Sequence, residues 1–269
     1  RFLKGDEDQL PAFTWRVRKN PAKCAVINYI THHDGFTLMD LVSYEERHNE
    51  ANGEGGQDGP AYNFSWNCGV EGPSRKKKIQ ELRLQQMKNA FLLLLFSQGT
   101  PMILAGDEFG NSQRGNNNPY CQDNETSWLE WNGLKKQAEL FEFVKAAIAF
   151  RKTHPLLHQA KELQGTSGSV LGYPDVSCHG QQAWYGNFET TSRHFGMMYC
   201  GEEGEYLYVA YNLHWKEQSF ALPKLPEGLS WQLVFDTEDG ASPEKEIKWI
   251  DQKSFEAPPR SILVLEGRK

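Results

Sequence analysis

Two short apolar runs, each followed by charged residues, most constrain what this chain can fold into. The first, Cys24–Tyr29, leads to His33 and Asp34, and the second, Met102–Ala105, leads to an adjacent Asp-Glu pair. A strong helical pattern separates the two runs. Strand–helix–strand order predicts parallel strands, whose carboxyl ends meet at one rim where α/β barrels build their active sites. We therefore expect both charged clusters at a shared rim.

Two helices are predicted from apolar residues at helical spacing. One follows Ser74 and continues to Phe96, and its basic start is interpreted as a solvated face without function. The other covers Leu140 to Arg151 and ends before Pro155. We place the end of the first domain here, so that residues 1–157 form an α/β region with an irregular lead-in.

Residues 158–269 have a different sequence pattern, with short alternating apolar runs separated by Gly, Pro and Asp. This pattern is typical of an antiparallel β-sandwich. The predicted strands are 183–185, 194–199, 206–211, 218–222, 231–235 and 261–265.

The charged clusters at the strand ends have both functional and structural interpretations. His33 and Asp34 alone would most simply be a turn and a helix cap, because Asp-Gly is ordinary loop chemistry. Asp107 and Glu108 are tempting as an acid/base pair. Successive strand residues point to opposite faces, however, so we favour a structural role for this second pair.

A polar loop, 111–124, follows the second strand and is rich in hydrogen-bonding side chains. Its donors and acceptors suit a sugar with many hydroxyl groups, but a self-bonded, asparagine-rich loop is an equally good interpretation for any single residue. The candidate residues are Arg114, Asn116, Asn117, Asn118 and Asp123.

Four segments resemble the α-amylase superfamily, glycoside hydrolase family thirteen, in its branch of isoamylases and glycogen debranching enzymes. His-Asp-Gly-Phe-Thr-Leu at 33–38 resembles the seventh-strand motif, and Ala-Gly-Asp-Glu-Phe-Gly at 105–110 resembles the eighth. The loops 48–54 and 115–124 resemble segments particular to the debranching branch. The resemblance extends from about Lys4 to Pro155.

The resemblance implies the last βα units of a TIM (β/α)8 barrel followed by the β-sandwich. It implies a retaining hydrolase that cleaves α-1,6-glucosidic branches of glycogen or starch, with its nucleophile and acid/base upstream of this chain, which alone would be inactive. Asp34 would stabilise the transition state, and His33, rather than His32, would bind the same sugar ring. Arg114, Asn117, Asn118 and Asp123 would contact substrate.

The composition limits which binding partners and which cellular compartment are consistent with this chain. The net charge of −6 argues against nucleic-acid and anionic-membrane surfaces. The five cysteines lack the spacing of a zinc site, so reduced thiols in a cytoplasm are the simplest account. We predict no metal and no cofactor, an α-glucan such as glycogen or limit dextrin as partner, and self-association if open barrel edges remain.

Two alternative functions stay open. Another superfamily member, such as a branching or trehalose-forming enzyme, would share the site, although the loop at 115–124 favours debranching. A non-catalytic α-glucan-binding module would retain glycogen binding after loss of Asp34.

Overall fold

The computed structural model describes residues 1–166, 172–240 and 248–269. The helices are α1 (Leu10–Arg18), α2 (Leu38–Leu41), α3 (Lys77–Leu95), α4 (Gly133–Lys136) and α5 (Ala138–Thr153). The strands are β1 (Ile27–Asn28), β2 (Thr100–Pro101), β3 (Val176–His179), β4 (His194–Cys200), β5 (Tyr206–Asn212), β6 (Gln218–Ala221), β7 (Ser230–Asp236), β8 (Lys248–Trp249), β9 (Ser254–Ala257) and β10 (Ser261–Arg268). Within these ranges, no helix is both long and apolar enough to cross a membrane.

The chain forms two compact units. The first comprises Arg1, Asn28–Leu94 and Pro101–Lys145, and the second comprises Phe2–Ile27, Leu95–Thr100 and Ala146–Lys269. The second unit thus includes α1, a helix within the segment that the sequence pattern predicts as an irregular lead-in. The boundary predicted between residues 157 and 158 remains a prediction about where the α/β sequence ends.

Strands β1 and β2 form a two-stranded sheet. The Thr100 N–H donates to the Val26 carbonyl and the Met102 N–H donates to the Asn28 carbonyl, each at 2.8 Å. Because both partners advance by two residues in the same direction, the strands are parallel, as predicted. Strand β1 is much shorter than the predicted run, and the second strand was predicted in the wrong place, because β2 ends at Pro101 and residues 102–105 lie outside it. Gly106, with φ +99°, turns the chain immediately afterwards.

The predicted long helices are both present as α3 and α5. In α3, Lys88 is almost fully buried and donates to Glu139 of α5 at 2.6 Å. A buried ammonium group is costly unless it has a partner, and Glu139 supplies that partner for Lys88.

The second unit contains an antiparallel β domain. Its six-stranded sheet has the order β3-β4-β5-β10-β7-β8, and β6 pairs with β9 in a separate two-stranded sheet. The two sheets share one core, in which Phe220 and Phe255 stack and Tyr208 lies edge-on to Phe255. The antiparallel strands predicted from alternation are therefore confirmed for β4, β5, β6, β7 and β10.

One predicted strand is wrong. Residues 183–185 form a tight turn closed by a bridge between Gln182 and Tyr185. Trp184 adopts φ +68° in this turn, a left-handed conformation that no continuous strand accommodates. Three apolar residues in a row therefore gave a misleading strand signal.

Candidate active site

The exit of β1 presents an exposed carboxylate next to an imidazole. His33 Nε2 lies 3.3 Å from Asp34 Oδ2, and the two side chains are 85% and 66% exposed. His32 is half-buried, and its Nδ1 accepts a hydrogen bond from the Asp34 backbone N–H at 3.1 Å. The contact fixes how the segment turns and leaves the groups of His33 and Asp34 open to solvent.

These three side chains also meet the geometric minimum for holding a metal ion, because one ligand atom of each lies within 4.8 Å of the others. The lone pair of His32 Nδ1 is already engaged by the backbone N–H. Ion binding through that nitrogen would therefore break the hydrogen bond that shapes the turn.

Asp107, at the exit of β2, forms hydrogen bonds with residues on either side of the His33–Asp34 pair. Its carboxylate accepts hydrogen bonds from the Leu38 N–H at 2.8 Å and from the Thr31 hydroxyl. Burial raises the pKa of Asp107 to about 7, although these two hydrogen bonds oppose the shift. Glu108 accepts from the Gly106 N–H at 2.9 Å. These contacts support the structural role favoured for this pair, but strand alternation is not the reason for it, because Asp107–Phe109 is a 3-10 helix.

Asp40 is a second buried carboxylate, and it is not among the residues predicted from the sequence. It accepts from the Ser112 hydroxyl at 2.5 Å and the Gln113 N–H at 2.7 Å, and so ties α2 to the start of the polar loop. Burial raises the pKa of Asp40 to about 6, against the opposing effect of these hydrogen bonds. Its position one helical turn after Phe36-Thr37 is the only sequence signal.

The polar loop is held by asparagines that lie 54 to 68 residues earlier in the chain. Asn117 accepts from Asn49 Nδ2 at 2.8 Å and donates to the Pro60 carbonyl at 2.8 Å and to Asn63 Oδ1 at 2.9 Å. Its backbone N–H donates to Asn49 Oδ1 at 3.0 Å. Asn117 is fully buried. It holds the two loops together and has no free group for a sugar in this conformation, which argues against the predicted substrate contact.

Asn52 and Asp58 complete this network. Asn52 exchanges hydrogen bonds with Asn116, donating at 3.3 Å and accepting at 2.8 Å, and it donates to the Asn118 carbonyl at 2.9 Å. Asp58 accepts from Asn52 and Asn118 at 2.8 Å and 2.9 Å, and the first of these bonds is the largest cause that lowers the Asp58 pKa. Asn49 and Asn52 lie in segment 48–54, so this motif is the sequence feature that could have predicted their part in the network.

The remaining candidates lie on the outside of the loop. Arg114 is exposed, has φ +57° and pairs with Glu125 at 2.7 Å. Asp123 is exposed and accepts from the Trp128 indole N–H at 3.1 Å. Asn118 is half-buried, with its amide on Asp58. Arg114 and Asp123 are thus the loop candidates with polar groups facing solvent.

A further charged group supports the earlier loop. Glu71 accepts from the backbone N–H groups of Glu45 at 2.9 Å and Glu46 at 3.3 Å, and contacts His48 Nε2 at 3.2 Å. Burial tends to raise the pKa of Glu71, but these hydrogen bonds prevail and lower it. His48 also packs edge-on against Tyr44. The loops at 45–63 and 111–124 are thus fixed by buried or shared polar groups, whereas His33 and Asp34 are exposed.

Sequence comparison finds that this chain is similar to parts of proteins named as isoamylases and glycogen debranching enzymes. The family described as isoamylase 1-3, C-terminal, matches residues 177–246. A glycogen operon protein GlgX homolog from Mycobacterium bovis is 38% identical over 261 residues, covering 90% of this chain and 36% of that protein. Isoamylase 3, chloroplastic, from Oryza sativa is 38% identical over 88% of this chain and 30% of its own length. A glycogen debranching enzyme from Pectobacterium carotovorum is 51% identical over 146 residues, covering 54% of this chain and 22% of that enzyme.

Solved structures match the fold over almost the whole chain. Pullulanase from Bacillus acidopullulyticus superposes with a TM-score of 0.67 at 17% identity, covering 98% of this chain and 27% of the pullulanase. The catalytic module of the glycogen-degrading pneumococcal virulence factor SpuA gives a TM-score of 0.68 at 16% identity, over 98% of this chain and 40% of the module. The chain spans at most about a third of the curated relatives named above. The resemblance predicted from the four motifs is confirmed.

Proposed function

We propose that this chain, which is related to the C-terminal part of isoamylases and glycogen debranching enzymes, is the corresponding part of an α-1,6-debranching glycoside hydrolase. The observation that carries the proposal is the exposed His33–Asp34 pair at the exit of a parallel strand. The similarity to proteins named as glycogen debranching enzyme and isoamylase supports the reaction class.

In this proposal Asp34 acts on the reacting glucose ring. A carboxylate accepts hydrogen bonds from two sugar hydroxyls, and its charge stabilises the positive charge of an oxocarbenium-like transition state. His33, 3.3 Å away, donates to the same ring. Asp107 is a positioning residue, since it holds Thr31 and Leu38 on both sides of the pair.

A retaining hydrolase also needs a nucleophile and a proton donor about 5 Å apart. We assign both to a preceding segment of the longer polypeptide, since the relatives are about three times as long as the matched part. The order β1–α3–β2–α5 with parallel strands supports residues 1–157 as the last two βα units of a (β/α)8 barrel. Residues 158–269 would be its C-terminal β-sandwich domain.

The barrel proposal also defines partners. Each of β1 and β2 has one ladder partner among the described strands, so the other edge of each is available to a preceding strand or to a second copy. An α-glucan such as glycogen is the proposed substrate. Pullulanases have been solved in complex with maltotetraose, which supports this class of ligand. All five cysteines are free thiols, which supports a reducing cytoplasm.

The test is Asp34→Asn in the longest natural polypeptide that carries this chain. The substitution keeps volume and removes only charge, so we expect release of reducing ends from glycogen limit dextrin to fall by about 100-fold or more, mainly in kcat. Asp251→Asn, at an exposed position in the β domain, is the matched control and should be silent. Near-normal turnover of the Asp34 variant would reject the assignment.

A further inference from the structure

The second compact unit contains a groove that the proposed catalytic chemistry does not use. It has a volume of about 410 Å³ and lies where α1 meets β3 and β4. Its lining combines hydroxyl, guanidinium and aromatic groups. The residues that matter for binding are Thr14, Arg18, Ser177, Cys178, Trp184 and Phe188.

The backbone of Trp184 is positioned at this groove by a tight turn and a hydrogen bond to His179. Its left-handed backbone, φ +68°, lies in the turn between Gln182 and Tyr185. Its backbone N–H donates to His179 Nδ1 at 2.8 Å, and its ring centroid lies 5.0 Å from that of His179. Yet the residue is 49% exposed, and Phe188 is also exposed. A strained backbone that fixes an exposed indole presents a ready flat surface.

His179 also sets the direction of the Ser177 hydroxyl. His179 is fully buried, and burial lowers its pKa to about 4, so the ring is neutral. Because Nδ1 accepts from the Trp184 backbone N–H, Nε2 carries the proton and donates to Ser177 Oγ at 2.8 Å. The proton of Ser177 is then free to point at a ligand oxygen. One buried ring thus orients two groups of the groove.

The other polar groups suit binding rather than covalent chemistry. Arg18 is half-buried and forms no ion pair with any side chain in the described ranges, so its guanidinium donors are available to a ligand. Burial raises the pKa of the Cys178 thiol to about 11, which keeps it protonated and unreactive at neutral pH. Ser177 has no base beside it, because the neighbouring imidazole nitrogen is a donor.

We infer that this groove is an accessory binding site for a linear α-glucan segment, separate from the Asp34 site. A glucosyl chain presents apolar C–H faces to an aromatic ring and hydroxyl oxygens to Ser177 and Arg18, which matches the lining. A single cation among aromatic side chains fits a neutral sugar better than a phosphate. The choice of sugar rests on the proposed function, whereas the existence of the site rests on the groove itself.

The test is binding of maltoheptaose to the longest natural polypeptide that carries this chain, by isothermal titration calorimetry, with four variants. Trp184→Ala should weaken binding about tenfold, the upper range for one aromatic contact, and Trp184→Phe should retain most of it. Ser177→Ala should weaken it several-fold. Trp215→Ala is the matched control, since Trp215 is 51% exposed in the same unit but lies outside the groove.

Each outcome decides the proposal, with Asp34→Asn as a fifth variant. Weaker binding by Trp184→Ala and Ser177→Ala, with Trp215→Ala unchanged, supports the groove whatever the affinity of Asp34→Asn. Equal affinity in all groove variants, or no binding by the wild-type chain, overturns it. Loss only in Asp34→Asn overturns the groove and leaves the proposed function standing. Binding of inorganic phosphate but not of maltoheptaose, weakened by Arg18→Gln, would also overturn it.

Discussion

The most discriminating prediction concerns Asn117, which the sequence offers as a sugar contact and the structure buries. Its side chain accepts one hydrogen bond, from Asn49, and donates two, to the Pro60 carbonyl and to Asn63. If these bonds join the two loops, removing the side chain must destabilise the protein whether or not a glucan is present. If Asn117 instead serves only to bind substrate, stability should hardly change.

The magnitude follows from the three side-chain bonds. Each intramolecular hydrogen bond contributes about 1 kcal/mol net, and a buried partner left unsatisfied costs more. Asn117→Ala should therefore lower the free energy of unfolding by about 2 to 4 kcal/mol. Asn118→Ala removes one side-chain bond, to Asp58, from a half-buried position and should cost about 1 kcal/mol.

The assay is urea unfolding of the longest natural polypeptide that carries this chain, combined with hydrogen exchange of the Asn117 backbone amide, whose N–H donates to Asn49. Asn117→Asp sharpens the test, because a carboxylate keeps the shape but turns both donors into acceptors facing Pro60 and Asn63. We expect it to be at least as destabilising as Asn117→Ala. Equal stability of the Asn117 variants and wild type, or an Asn117→Ala cost no larger than that of Asn118→Ala, would refute the framework role.

Two further predictions concern the same compact unit. The pKa of Asp107 is about 7 in the folded state and near 4 when unfolded, so its contribution to stability is complete below about pH 4 and is lost as pH rises through 7. For Asp107 alone we expect a decrease in the free energy of unfolding of up to about 3 kcal/mol from pH 5 to 7, and Asp107→Asn should flatten this slope in urea titrations. Gly115→Ala places a Cβ 2.8 Å from the rings of Tyr44 and His48 at φ +80°, whereas Gly53→Ala has a similar φ, +79°, and open space. The Gly115 variant should be the less stable by about 1 to 3 kcal/mol in thermal melts, and equal losses would mean that only backbone strain matters.

Regular secondary structure was largely readable from the chain because it depends on local periodicity. The apolar stripes of α3 and α5 and the alternation in β4, β5, β7 and β10 repeat over enough residues to exceed background. Two-residue strands such as β1 and β2 carry no such repeat, so their bounds were misjudged. The Ala-Trp-Tyr run at 183–185 failed for the same reason, since three residues do not distinguish a strand from a turn.

The site was predicted in part. The position of His33 and Asp34 at a parallel strand exit followed from the order of the elements and from the motif. The sequence pattern did not predict which acidic cluster is buried, because Asp34 and Asp107 both follow apolar runs. Asp107 is buried by partners at Thr31 and Leu38, about seventy residues away, and this distant pairing leaves Asp34 as the exposed carboxylate.

The sequence by itself determined the related family, the parallel and antiparallel parts of the chain and the charged strand exit, since these depend on motifs and short-range patterns. Only the tertiary structure decided which of the chemically identical asparagines is buried and which carboxylate faces solvent. It also placed His179 where it orients both Ser177 and Trp184. The physical reason is that burial and hydrogen-bond partners belong to pairs of segments. A side chain such as Asn117 acquires its role only when folding brings Asn49 beside it.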